Sequence, residues 1–290
     1  MIRTLVSSAV AGLVGYGVTK AVLNSPLRRH ERAVRTNHAG RDVSLVEGPA
    51  VTAGLLAGSA LIEDPRQRAA TLLATSVSGV LGAVDDFLES GSSKGLRGHL
   101  SALAHGQVTT GAIKVTGIPV AAIIAAAILG PDNRRHHGLL DAFRPAETAP
   151  WWKASIDTVV AGGVIAGTAN LFNLLDLRPG RALKAGLLVL GLMPHQRQLT
   201  WVPTAVVTGT SLAAWPDDLD GSVMLGDTGA NALGAAIGTT VAANTSAGTR
   251  AVLLAVLAGL TLASEKVSFT SVIESTPGLR EIDAFGRTVK

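Results

Sequence analysis

The apolar residues of this chain come in blocks, not at the period of a surface helix or a half-buried strand. Blocks near 4–23, 43–62, 69–84, 115–129, 158–175, 185–193, 199–215, 228–249 and 251–264 are separated by short charged or glycine-rich stretches. Runs of this kind, several of them close to the roughly 20 residues that a bilayer core demands, read as membrane helices. The pattern predicts an all-α, multi-pass integral membrane bundle of about nine transmembrane helices. It forms one membrane domain over 1–290, ending in a polar cytoplasmic tail at 265–290. The block at 185–193 is thin for a crossing and is expected to recruit residues from Leu183 onward. Lys114 falls in an interfacial portion ahead of the fourth crossing, and Glu47 is tolerable near an interface.

Orientation follows from charge. Arg28, Arg29, His30, Arg32, Arg35 and Arg41 crowd the first loop, the strongest basic cluster between blocks. Basic loops stay on the cytoplasmic side, which puts the N-terminus outside and, after nine crossings, the C-terminus inside. The first block has no small-residue cleavage site and reads as an uncleaved helix. Trp151 and Trp152 suit an interfacial belt.

Composition agrees with the blocks. Of 290 residues 47% are hydrophobic and 16% charged, and mean hydropathy is +0.37. A soluble domain carries about 25% charged residues. There is no cysteine, which excludes thiolate chemistry and disulfides, and 3% aromatics leave little for base stacking, so no nucleic-acid partner is expected.

The remaining acids are then conspicuous, because carboxylates at membrane depth are costly unless paired or functional. Gly226-Asp227-Thr228-Gly229 opens the charge-free run 228–249. Asp227 could simply cap that helix. It could also seat a divalent cation, with Gly226 and Gly229 letting the backbone approach a ligand. Asp85-Asp86 ends the third block, and adjacent carboxylates raise one another's pKa, which favours a proton acceptor or a metal site. Asp176 closes the fifth block after Asn170 and Asn173, whose three-residue spacing puts both carboxamides on one helical face. Lys94, beside Gly95, could hold a phosphate as a point charge. His99 is a weaker phosphate or sugar contact, and His136 and His137 read as a solvated loop. On the nine-crossing count Asp85, Asp86, Lys94, Asn173, Asp176 and Asp227 all face the cytoplasm.

This ordered set resembles the polyprenyl-phosphate N-acetylhexosamine-1-phosphate transferases, over residues 85–234. Asp85-Asp86 is similar to the family's aspartate pair and Lys94-Gly95-Leu96 to its Lys-Gly-Leu element. Asn170-Leu171-Phe172-Asn173-Leu174-Leu175-Asp176 is similar to its Asn-x-x-Asn-Leu-x-Asp motif, and Gly226-Asp227-Thr228-Gly229 to its Gly-Asp-x-Gly motif. The resemblance implies transfer of a sugar-1-phosphate, expected to be a HexNAc-1-phosphate, from a UDP-sugar to a polyprenyl phosphate. UMP is released, and the product feeds cell-envelope glycan synthesis at a bacterial inner membrane. It implies Mg²⁺ on Asp227 and Asp176, and proton acceptance or phosphate orientation by Asp85 or Asp86. Lys94, Asn170, Asn173, Asp176 and His99 would contact substrate, in a homodimer.

The chain also departs from the pattern. Pro179 stands where a second aspartate is usual, and Glu89 where many members have lysine. The histidine-rich loop and the last helix are missing, and the tail reads Glu274 to Arg287 instead. These departures bear on nucleotide and sugar recognition. They keep open a catalytically impaired relative that binds the lipid carrier or a partner protein. A transporter is a third reading, weakened by the lack of an internal repeat.

Overall fold

The computed structural model describes residues 2–36, 40, 42–88, 110–134, 150–193 and 198–288. Lys94 and His99, and with them Glu89, His136 and His137, lie outside the described residues. The described residues are all-α apart from one two-stranded ribbon. Its helices are α1 (Ile2–Leu23), α2 (Glu47–Ser59), α3 (Pro65–Leu88), α4 (Thr110–Arg134), α5 (Trp151–Leu175), α6 (Arg181–Leu192), α7 (Gln198–Leu219), α8 (Gly226–Asn244), α9 (Ala247–Ser264), α10 (Phe269–Ser275) and α11 (Leu279–Ala284). The ribbon pairs β1 (Val34–Thr36) with β2 (Asp42–Ser44) in antiparallel register, Val34 opposite Ser44.

Helix α8 is the axis of the bundle. Every residue from Gly226 to Ala243 except Asp227 is buried. A helix apolar all round belongs in the middle of other helices, and α2, α3, α4, α5, α6 and α7 all pack on it. Its run of glycine, alanine and threonine is what permits this. Small side chains let backbones approach closely, and in an apolar surrounding that packing drives helix association. The approach is tightest at Gly82 of α3. A Cβ there would collide with the carbonyl oxygen of Asp227. Gly234 likewise sits against the backbone of Thr168 and Ala169 in α5.

Among the described residues four helices are long and apolar enough to cross a membrane: α1, the Thr110–Gly130 part of α4, α5 and α9. The outer two, α1 and α9, expose Val6, Leu13, Val252 and Leu262, the expected complement to lipid tails. Helix α4 breaks at Gly130, whose φ of 67° is outside the helical region. Helices α2 and α6, with 13 and 12 residues, rise only about 20 Å at 1.5 Å per residue, short of a core of about 30 Å.

Several expected boundaries move. The second block yields a helix only from Glu47, because Val43 is in β2 and Ser44 is held by backbone bonds to Ser222 and Met224. The block expected to end at 215 continues as helix to Leu219, the last turn of α7, where Asp217 is tied to Lys20 (3.2 Å) and Arg28 (2.7 Å). The block 228–249 divides at Thr245 and Ser246. The Ser246 hydroxyl accepts from the Thr249 N–H and so starts α9 two residues before the expected end of the previous segment. The polar tail carries two short helices of its own.

The helices alternate in direction. Contacts at one end join the C-terminal ends of α1, α3, α5 and α7 to the N-terminal ends of α4, α6 and α8. Among them are Lys20 with Asp217, Asp85 with Lys114, and Gly180 N–H with Asp218. At the opposite end Ser7 bonds Glu63, and Arg250 joins Asp157 while also donating to the Ala242 and Thr245 carbonyls. The charged residues of the three aspartate motifs therefore share one end of the bundle.

Substituting Gly82→Val would force α3 away from the α8 backbone. Overpacking of this kind costs about 1–3 kcal/mol, and here the obstacle is main chain, which cannot rotate aside. The apparent melting temperature in detergent should fall by several degrees. Gly17→Ala is the control: nothing lies within 4 Å of its added Cβ, and its melting temperature should be unchanged or higher.

Candidate functional site

The site is built where α3 ends and α8 begins. The last turn of α3 carries Asp85 and Asp86, and adjacent residues on a helix point in different directions. Asp86 turns to the first turn of α8. Its Oδ1 accepts from the Asp227 N–H (3.1 Å), and its Oδ2 accepts from the Thr228 N–H (2.8 Å) and the Thr228 hydroxyl (2.6 Å). The first amides of a helix lack partners of their own, so a carboxylate from a neighbouring helix completes this one. The cap of α8 is thus Asp86. Asp227, whose side chain is spared that task, faces elsewhere. Gly226 enters this turn at φ +60°, and a Cβ there would stand 3.0 Å from Asp86 Oδ2. At Gly229 the close neighbour is Gly48 of α2, so that glycine serves helix packing and not approach to a ligand.

Asp85 turns to α4. Its Oδ1 accepts from the Thr110 hydroxyl at 2.9 Å, and its Oδ2 accepts from the Lys114 ammonium at 2.6 Å. Lys114 also donates to Asp227 Oδ2. One ammonium therefore lies between two carboxylates from two helices, all three side chains largely shielded from solvent. The interfacial placement of Lys114 misses this role. A signal for it exists in the chain: a lone lysine in an apolar block needs a counter-charge, and Asp85 and Asp227 are acids at the same end of the bundle.

Asp176 follows directly on α5. Its carboxylate faces the Gly226 amide, which brings the third aspartate motif to the residue preceding Asp227. Burial and the neighbouring charge of Asp218 push the Asp176 carboxyl well above the usual carboxylate range, despite that amide. Asp218 itself accepts from the Gly180 N–H at 3.0 Å, which closes the turn after Asp176, with Gly180 at φ +76°. Asn170 does not join this group. Its amide donates to the Thr261 hydroxyl of α9 (3.0 Å), a helix–helix bond. Asn173 is half-buried one turn nearer the site.

Two further residues reach this end unannounced by any motif. Glu47, expected near an interface, is 0% exposed at the start of α2, and neither carboxylate oxygen has a hydrogen-bond partner among the described residues. Its charged surroundings are Asp218, Asp176 and Asp217. Arg35 of β1 donates to the Asp86 carbonyl at 3.2 Å. Alongside, a cleft of about 990 Å³ is lined by Arg28, Arg29, Asp42, Ser44 and Ser222, so the basic loop opens beside the acidic turn.

Whether these residues suit Mg²⁺ can be judged from the donors. Among the described residues no three acidic or histidine side chains are grouped to hold a metal by themselves. Asp85 and Asp227 nonetheless converge on one cation, the Lys114 ammonium. Mg²⁺ keeps most of its waters and commonly takes one or two carboxylates plus substrate phosphates. The donor set fits a site of that sort. It does not form a closed protein cage.

No protein-family model matches this chain, and no curated protein matches it in sequence.

Removing Lys114 should expose the repulsion it suppresses. Breaking a buried ion pair from one side costs about 3–5 kcal/mol, so Lys114→Met should lower the apparent melting temperature markedly. Adding Asp85→Asn to Lys114→Met should restore a large part of the loss, because one of the two orphaned charges is gone. A double-mutant cycle in detergent measures the coupling; additive losses would remove Lys114 from the centre of the site.

Proposed function

We propose that this chain is an integral-membrane phosphosugar transferase. In this reading it moves a sugar-1-phosphate from a UDP-sugar to a polyprenyl phosphate and releases UMP. The observation that carries the reading is the convergence of Asp85, Asp86, Asp176 and Asp227, from three separate sequence motifs, on the first turn of α8 with Lys114 between two of them. A chance set of motifs has no reason to meet in space. The apolar helices supply a lipid-facing surface for the acceptor, and the Arg28 and Arg29 cleft supplies positive charge beside the acids.

The chemistry asks two phosphate-bearing anions to meet. An acceptor phosphate oxygen attacks the sugar-linked phosphorus of the donor. A new phosphoanhydride bond forms, the bond to UMP breaks, and UMP departs with the electron pair. Mg²⁺, held by Asp227 with Asp85 or Asp176, would neutralise the diphosphate and its leaving group. The geometry divides the aspartate pair. Asp86 is committed to three donors of α8 and acts as a positioning residue that aims Asp227. Asp85, whose partners Thr110 and Lys114 are side chains and not the α8 backbone, is the member of the pair that would orient the acceptor phosphate or take its proton. Lys114, once phosphate displaces a carboxylate from it, offers a positive charge to the transferring group. Asp176 and Asn173 lie on the donor side, and Asn170 is left out.

Placing the basic first loop on the cytoplasmic side puts this end of the bundle at the cytoplasmic face of a bacterial inner membrane, with nine crossings and the N-terminus outside. A second reading, an impaired relative that binds the lipid carrier, draws on Pro179, which occupies the turn between Asp176 and Gly180.

UMP release by purified protein with Mg²⁺, polyprenyl phosphate and a panel of UDP-sugars tests both readings. Turnover should require metal and lipid together. Asp227→Asn should lower kcat by on the order of 10²-fold or more, as loss of a key transition-state contact does, with the fold intact. Lipid binding without UMP release from any donor would favour the impaired relative.

A further inference from the structure

The C-terminal segment is held to the bundle in an unusual way. Helix α10 has no buried residue, and the only buried residue of α11 is Asp283. Val272, Leu279, Ile282 and Phe285 stay exposed, so apolar burial does not hold this segment. What holds it is one carboxylate. Arg181 Nε donates to Asp283 Oδ1 at 2.7 Å and Arg181 Nη2 to Oδ2 at 3.2 Å, the forked geometry that guanidinium adopts on carboxylate and phosphate alike. Lys184 Nζ donates to the Asp283 carbonyl at 2.6 Å, and Arg287 adds a bond from within the segment, at 2.7 Å to Oδ2. Further ties are more exposed or weaker: Arg178 pairs with Glu274 at 3.0 Å where both side chains are about half exposed, Arg181 donates to the Thr270 hydroxyl, and the Thr288 N–H and hydroxyl donate to the Leu219 carbonyl.

The two cations that belong to the bundle, Arg181 and Lys184, are only 4% and 6% exposed. Long basic side chains are almost never buried unless paired, and Arg181 finds its carboxylate in the tail. Burial raises the Asp283 carboxyl, but the bonds from Arg181 and Arg287 outweigh it and hold the group below the usual carboxylate range, so it is an anion at neutral pH. Lys184 also faces the like charges of Arg287 and Arg181; the other acid near it is Asp218, which spends an oxygen on the Gly180 N–H. Arg181 and Lys184 begin α6, directly after the turn that Asp176 opens and Asp218 closes.

We infer that Arg181 and Lys184 form an anion subsite beside the aspartate cluster, built for a phosphate ester or diphosphate, and that Asp283 fills it as a tethered competitor. A ligand phosphate that reaches the fork exchanges with the carboxylate and releases residues 279–288 from the bundle. Arg287 leaves with the segment, so the emptied subsite keeps one guanidinium and one ammonium. This stands apart from the transferase reading, since it needs an anion and not turnover.

The test uses the full-length protein in detergent without divalent cations, so that the aspartates do not recruit phosphate. Inorganic pyrophosphate is the probe, and sodium chloride at matched ionic strength is the control. Amide exchange of 279–288 should rise saturably with pyrophosphate and not with the control salt. Asp283→Asn should bind pyrophosphate at least tenfold more tightly than the unaltered protein, and Arg181→Gln added to Asp283→Asn should abolish the gain. Exchange of 279–288 that ignores saturating pyrophosphate, or that responds equally to sodium chloride, would overturn the inference and leave a structural clasp. Equal affinity in the Asp283→Asn variant and the parent would do the same. The exchange measurement needs no variant, so it decides even if Asp283→Asn fails to fold.

Discussion

A helix made of glycine, alanine and threonine can be buried on all sides, but only if something satisfies its first turn. In α8 that something is Asp86, which gathers the Asp227 N–H, the Thr228 N–H and the Thr228 hydroxyl on one carboxylate. The rest of the end of the bundle depends on this contact. It sets α3 against α8 closely enough that Gly82 cannot carry a side chain. It relieves Asp227 of capping, so that the Asp227 carboxylate can share Lys114 with Asp85. It also sets the Gly226 amide beside the Asp176 carboxylate.

The sequence made some of this legible and hid the rest for physical reasons. The apolar blocks identify the long helices well, because membrane spans are marked by composition over about 20 residues. They fail at α2 and α7, where tertiary bonds decide the boundary: Ser44 pairs with Ser222 and Met224 before α2, and Asp217 is drawn into the last turn of α7 by Lys20 and Arg28. Asp85, Asp86, Asp176 and Asp227 stood out because acids beside apolar runs are rare. Their division of labour did not, since a pair of neighbouring aspartates looks symmetrical until the helix rotates one to α4 and the other to α8. Asn170 fitted a spacing argument and yet bonds Thr261 across a helix interface. Lys114 and Glu47 were passed over as interfacial charges, and only packing shows how deep each sits.

Charge at this end of the bundle is graded. Toward the centre, Asp85 and Asp227 share the single Lys114, and Glu47 and Asp176 have other carboxylates for neighbours. Toward the edge, Asp217 has Lys20 and Arg28, and Asp283 has Arg181 and Arg287, with Arg29 and Arg35 exposed nearby. A low-dielectric interior magnifies both fields. The middle favours a cation and the margin favours anions. The proposed phosphate-bearing substrate with its counter-cation would meet both demands at once, its negative groups on the basic margin and the metal drawn inward. The tail then takes on a physical meaning. Asp283 neutralises part of the margin when no such ligand is there, which spares the bundle a buried, unpaired Arg181. Because the segment around it buries almost nothing apolar, its hold is electrostatic and exchangeable, unlike the glycine-to-backbone contacts that lock α3 to α8.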